Sequence, residues 1–117
     1  MNVNPLIESL EKKFSVPVAQ DEYDGKSDKY IIYTYEDERP VYFGDNKTLQ
    51  DTVYLTVQLI VPKQFNYMNL KHQIRDELER MEFIVTDIRS FLSSAINGTN
   101  KIRRITFDVN YTDNHLF

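Results

Sequence analysis

The chain has 117 residues, 41% of them hydrophobic and including seven Phe and eight Tyr. That is enough apolar surface for one core and too little length for two, so a single domain spanning 1–117 is expected and global disorder is excluded. The absence of cysteine excludes disulfides, thiolate metal sites, Fe–S clusters and cysteine nucleophiles, and three glycines are too few for a phosphate-cradling loop. Without a run of about 18 apolar residues or a basic-then-apolar leader, the expectation is a soluble, cytosolic chain with no membrane contact.

The net charge of −4 is unevenly spread: residues 1–58 carry 6 basic and 11 acidic side chains, residues 59–117 carry 8 and 7. Two acidic stretches stand out, Asp21, Glu22 and Asp24 with Asp28, then Glu36, Asp37 and Glu38. They would repel phosphates at close range, which argues against direct nucleic-acid readout. A local basic cluster at Lys101, Arg103 and Arg104 reads as solvated charge or as contact with an acidic patch on a neighbouring subunit, with strand alternation pointing Arg103 and Arg104 to opposite faces.

In chain order, Asn4-Pro5 reads as an N-cap followed by proline at the first helical position, with Glu8 favouring the positive end of the helix dipole. Leu6, Ile7, Leu10 and Phe14 then make one apolar stripe. The first helix is expected over 5–14, stopped by Pro17. Val16 through Asp28 reads as a connection with a turn at Asp24-Gly25. Lys29–Glu36 is rich in aromatic and β-branched residues and predicts a strand. Asp37–Gln50, with Pro40, Gly44 and Asp45-Asn46, predicts a long exposed loop, in which Val41-Tyr42-Phe43 pairs briefly with a neighbour.

Thr52–Val61 alternates, with Val53, Leu55, Val57, Leu59 and Val61 on one face and Thr52, Tyr54, Thr56, Gln58 and Ile60 on the other. Pro62 ends this strand. With Asn66 or Asn69 as cap, Leu70, Ile74, Leu78 and Met81 predict a second helix over 69–81. Phe83–Phe91 predicts a third strand, Asn97-Gly98 a hairpin turn, and Lys101–Tyr111 a fourth strand, leaving 113–117 as a loose tail. The expected class is α+β: a four-stranded, mainly antiparallel sheet with two helices on one face, in the order α-β-β-α-β-β.

Catalytic chemistry finds little to stand on. His72 with Asp76 is half a metal site, or with Arg75 and Glu79 a general base, but no third ligand or nucleophile is spaced to match. His115 falls in the tail. Asp87 and Asp108 are the carboxylates placed to pair across a sheet, and Ser90, Ser93 and Ser94 lack a Gly-x-Ser-x-Gly context. No enzyme, cofactor or metal site is expected. Tyr30, Tyr33, Tyr35, Tyr42, Tyr54, Tyr67 and Tyr111 suit an aromatic core or a protein interface better than a base-stacking platform, because the first strand runs into acids rather than basic flanks.

The strand Tyr-Ile-Ile-Tyr-Thr-Tyr-Glu at 30–36, the turn-rich segment to Gln50, the long strand Thr52–Val61, the helix near Leu70–Met81 and the closing pair ending in Arg-Arg-Ile-Thr-Phe-Asp-Val-Asn-Tyr at 103–111 together resemble tail terminator or tail completion proteins of long-tailed bacteriophages and prophages. The resemblance is one of length, element order and texture across nearly the whole chain. It implies a structural virion protein that assembles as a ring, typically a homo-hexamer. The ring caps the head-proximal end of the tail tube, touching the tail tube protein, and joins the head–tail connector or stopper protein without a cofactor. The location implied is the virion tail, assembled in the bacterial cytoplasm, or the cytoplasm itself for a prophage remnant. Asp21, Glu22, Asp24, Glu36, Asp37, Glu38, Arg103 and Arg104 are the expected subunit or tube interface, since a ring joins two unlike patches. The alternatives are a head completion or stopper protein of the same junction and a small cytosolic protein-binding adaptor.

Overall fold

The strict alternation at 52–61 places its aliphatic residues in the molecule's centre: Val53, Leu55, Val57, Leu59 and Val61 are each at most 2% exposed. They belong to β3 (Lys47–Pro62), whose neighbours are β2 (Tyr30–Phe43) on one side and β5 (Lys101–Asn114) on the other, both antiparallel to it. The sheet continues through β4 (Ile84–Ser94), antiparallel to β5, and β1 (Val18–Gln20), parallel to β2, giving the order β1-β2-β3-β5-β4. Two helices, α1 (Asn4–Phe14) and α2 (Met68–Arg80), bring Ile7, Leu10, Ile74 and Leu78 into one buried cluster with Ile31, Tyr33, Ile105, Phe107 and Val109. The fold is α+β with both helices on one face. The computed structural model describes residues 2–43, 47–94 and 101–114, with backbone alone at 41–43, 47–50, 94 and 114.

The sheet has five strands, not four, and is mixed. The extra strand β1 lies where a connection was expected: Val18, Ala19 and Gln20 pair with Ile31, Ile32 and Tyr33, and Pro17 and Asp21 extend the ladder through backbone bonds to Ile31 and Tyr33. Three residues are too few to show a period. The expected loop at 37–50 is largely strand as well. β2 and β3 stay paired from Asp37↔Tyr54 out to Phe43↔Lys47, past irregularities at Tyr35/Asp37 and Val41/Tyr42. Glu36–Pro40 are exposed. Exposed there, the arm needs no apolar alternation: the ladder is backed by side-chain contacts such as Arg39 over Tyr54 and Thr56 to Glu36. Residues 44–46, and the expected turn at Asn97-Gly98, lie outside the described residues. Asp113 and Asn114, assigned to a loose tail, pair with Asp51 and Gln50, while 115–117 lie outside the description.

The helix ends also differ. Asn4 is the first helical residue rather than the cap: Val3 occupies that position with no side-chain cap, and the Asn4 N–H donates to Asn2 Oδ1 at 2.9 Å. Asn4 Oδ1 instead accepts the Tyr35 hydroxyl, whose oxygen accepts the Val3 N–H at 3.0 Å. Glu8, expected to serve the helix dipole, accepts the Tyr33 hydroxyl at 2.6 Å. Burial, with Glu8 beside it, pushes the Tyr33 hydroxyl well above the ordinary tyrosine pKa. Ser15 closes α1 in the left-handed conformation, φ 57°. In α2 the cap position is Tyr67, not Asn66 or Asn69, although Asn66 Oδ1 accepts the Met68 N–H at 3.4 Å.

Glu77 ties the two helices together. It is 6% exposed, accepts Lys13 of α1 at 3.2 Å and Arg80 Nε at 2.9 Å, and hydrogen bonding from Arg80, with Lys13 adding to it, holds its carboxyl down at about 2 against the cost of burial. A carboxyl lowered by folding stabilises the native state above its ordinary pKa of 4.5 and loses that contribution as pH falls toward about 2. Glu77→Gln is therefore expected to lower unfolding free energy by about 1–2 kcal/mol at neutral pH. The gap between variant and parent should narrow in urea titrations repeated at about pH 3 and close only near pH 2; a gap that is independent of pH would contradict this account.

Candidate assembly interface

The face of the sheet turned away from the helices begins as alternation requires, with Tyr54, Thr56 and Gln58 of β3 beside Arg104, Thr106 and Asp108 of β5. It is not uniformly open. Tyr30, level with Ile60, stacks on Tyr23 with ring centroids 4.4 Å apart, and Ile60 is 1% exposed. Gly25 leaves room for that pair: a Cβ there would sit 2.3 Å from the Tyr23 hydroxyl oxygen, which accepts the Ser27 N–H at 3.0 Å, so the Tyr23 ring would have to shift. Much of the tyrosine content is thus structural. Tyr33 and Tyr35 anchor α1, Tyr111 packs on Phe83 at 5.1 Å, and Tyr54 lies under Arg39 at 5.1 Å.

Two long strand edges lack a partner among the described residues. β4 closes one side of the sheet along its whole length. On the other side β1 covers only Ile31–Tyr33, so β2 from Thr34 to Phe43 has no outer neighbour. Exposed apolar side chains gather on the first of these edges: Ile84 is 59% exposed, Phe91 47% and Leu92 38%. An unpaired edge with apolar side chains is a template for another chain.

The expected interface residues do not form one patch. Asp21, Glu22 and Asp24 are exposed and follow β1, Asp21 with φ 67°. Glu36, Asp37 and Glu38 lie on the open edge of β2. Glu36 accepts the Thr56 hydroxyl at 3.2 Å, and the Asp37 carboxylate accepts Arg39 Nε at 2.8 Å. Hydrogen bonding from Arg39, with the Glu38 N–H adding to it, holds the Asp37 carboxyl below its usual range. Arg103 and Arg104 sit at the far end of the sheet: Asp37 is level with Tyr54 and Arg104 with Ile60, six residues or about 20 Å apart along β3.

At that end the sequence reading missed an assembly of aromatic and basic side chains. The Arg103 guanidinium lies 5.0 Å from the Tyr67 ring centre, Lys71 Nζ 5.7 Å from the same ring, and Lys29 Nζ 4.6 Å from Phe65. The Lys63 N–H donates to the Lys101 carbonyl at 3.3 Å, which brings the end of β3 to the start of β5. Among the described residues, the buried Arg103 Nε has no hydrogen-bond partner. Phe65 and Tyr67 flanked by Lys63 and Lys71 carried part of the signal.

The residues weighed for catalysis are dispersed. His72 is exposed on α2, where Asp76 accepts Arg75 Nη2 at 3.0 Å instead. Asp87 and Asp108 are direct cross-strand partners, and Arg89 bridges them, 3.6 Å from Asp87 and 3.1 Å from Asp108, so the pair is a surface ion network. Among the described residues no three His, Cys, Asp or Glu side chains converge as a metal site, and no helix is long and apolar enough to cross a membrane.

No protein-family model matches the chain, and no curated protein matches its sequence. Among solved structures, one chain aligns over 100% of this protein and 99% of its own length with a TM-score of 0.50 and 14% sequence identity, a likeness of fold alone.

The division between core and edge predicts opposite mutational costs. Phe107→Ala is expected to destabilise by about 3–5 kcal/mol. Phe91→Ser and Leu92→Ser should each stay within about 0.5 kcal/mol in denaturant titrations; comparable losses at the edge would mean that these side chains serve the monomer.

Proposed function

We propose that this chain is a structural subunit of a phage or prophage tail, assembling as a homo-oligomeric ring that closes the head-proximal end of the tail tube and joins it to the head connector. The observation that carries this reading is the pair of unlike open edges on opposite sides of one sheet. A twofold dimer needs one self-complementary patch, whereas a closed ring needs two different patches that fit each other. Three antiparallel steps separate β2 from β4, so the two edges run in opposite directions. Two copies set side by side in the same sense would extend the sheet by ordinary antiparallel pairing. The element order and the strand texture at 30–36 and 103–111 resemble tail terminator proteins, and the ring's location and partners follow from that resemblance. Nothing in this reading asks for bond-making chemistry: the protein acts by shape and by the chains it holds.

Electron microscopy of the protein mixed with its cognate tail tube protein is expected to show tubes closed at one end by a ring of density. Phage lacking the chain should accumulate tails of uncontrolled length that fail to join heads. Tubes left bare at both ends, or tails of normal length in its absence, would overturn the proposal.

A further inference from the structure

Six cations gather at one end of the sheet: Lys29, Lys63, Lys71, Lys101, Arg103 and Arg104. Among the described residues none of the six forms an ion pair. By contrast Lys13, Arg39, Arg75, Arg80 and Arg89 each meet a carboxylate elsewhere in the chain. Arg104 donates to the neutral Gln58 side chain, and a cluster of like charge without ion pairs in a protein of net charge −4 is a surface suited to an acidic partner. It carries the features of a binding hot spot, with Arg and aromatic side chains at its centre and exposed Phe91 and Leu92 on its flank, level with Arg104 and Arg103.

The register points to what covers it. The unpaired length of β2 spans the β3 levels from Lys47 to Thr56, and β4 spans those from Tyr54 to Pro62. Pleating requires that joined strands match face to face, so a second copy can be offset only by an even number of residues. An offset of six lays the open β2 of one copy along the whole of β4 in the next, because Lys47 comes level with Val53 and Thr56 with Pro62. The same offset brings Tyr54's level onto Ile60's. Asp37 then falls level with Phe91 and Arg104, and all three share the face away from the helices. Glu36, which reaches Thr56 on that face, flanks them. The offset that pairs the full edges is the one that sets acids against bases.

We infer that the basic end of the sheet is the socket for the acidic β2 arm of a second copy, and that each junction of the assembly joins Glu36–Glu38 of one subunit to the Lys63, Lys101 and Arg104 surface of the next. The inference rests on the ring reading and names its contact.

Because the sequence contains no cysteine, the register can be tested directly with the double variant Asp37→Cys, Phe91→Cys. These positions lie on non-adjacent strands of one chain, so the expected product under oxidising conditions is an intermolecular disulfide ladder. A control pairing Asp37→Cys with Ile84→Cys should give none. A charge swap supplies the second arm. Lys63→Glu, Lys101→Glu, Arg104→Glu in one protein and Glu36→Lys, Asp37→Lys, Glu38→Lys in another should each weaken self-association at least about tenfold, and an equimolar mixture should recover it. Association is read by sedimentation in solution and on tubes of the cognate tail tube protein. Wild-type assembly that neither variant disturbs would overturn the socket and leave the ring standing. Failure of the wild type to associate in either setting would remove the ring. Retention of duplex DNA that only the first variant abolishes, with assembly intact, would assign the basic end to nucleic acid and refute the inference.

Discussion

The structure depends on β3 being buried on one face between two long neighbours. Its aliphatic residues at 53, 55, 57, 59 and 61 are the floor on which both helices rest, and its backbone is hydrogen-bonded on both sides. Shifting the strand by one residue would turn all five side chains out and bring Tyr54, Thr56 and Gln58 in, a change costing several buried side chains at about 1.5–3 kcal/mol each. β2 and β5 are therefore fixed in register by the core. Whatever they carry past the core is placed by that register, including the acidic arm at one end and the basic cluster at the other.

The helices add direction to this plan. α1 is fastened to β2 by hydroxyls, Tyr33 to Glu8 and Tyr35 to Asn4, and to α2 through Glu77. These polar contacts lie at the margins of an apolar cluster, where they fix orientation more than they add stability. With α1, α2 and the short β1 confined to the lower part of the sheet, the upper part of β2 keeps an uncovered edge. The opposite uncovered edge follows from chain order, since β5 takes the place beside β3 and leaves β4 outermost.

What could be read from the sequence follows from what a core imposes. The periodicity of Val53 to Val61, and of Leu70, Ile74 and Leu78, is written by burial, and those elements stand where the pattern placed them. The arm shows no such pattern where its side chains are described, because Glu36–Pro40 are exposed. Pro40 and the polar residues around it resemble a loop for the same reason that they tolerate a protruding hairpin. β1 was hidden by its brevity. For the candidate interface, the acidic and basic residues were visible as composition, but their separation by about 20 Å is a property of strand register that no local window contains. Nor could a window show that Lys29 and Arg103 converge from distant parts of the chain on Phe65 and Tyr67.

The irregularity between Tyr35 and Asp37 divides β2 into a stretch whose side chains enter the core and a stretch, 37–40, whose side chains are exposed. Past the Val41↔Gln50 pair, beyond the last rung that joins β3 to β5, the β2–β3 ladder can grow or shrink by matched pairs of residues, one on each strand. Evolution therefore has a ruler it can recut at will: the length of the projecting ladder is adjustable in steps of about 3.4 Å per matched pair, while the scaffold that projects it stays unchanged.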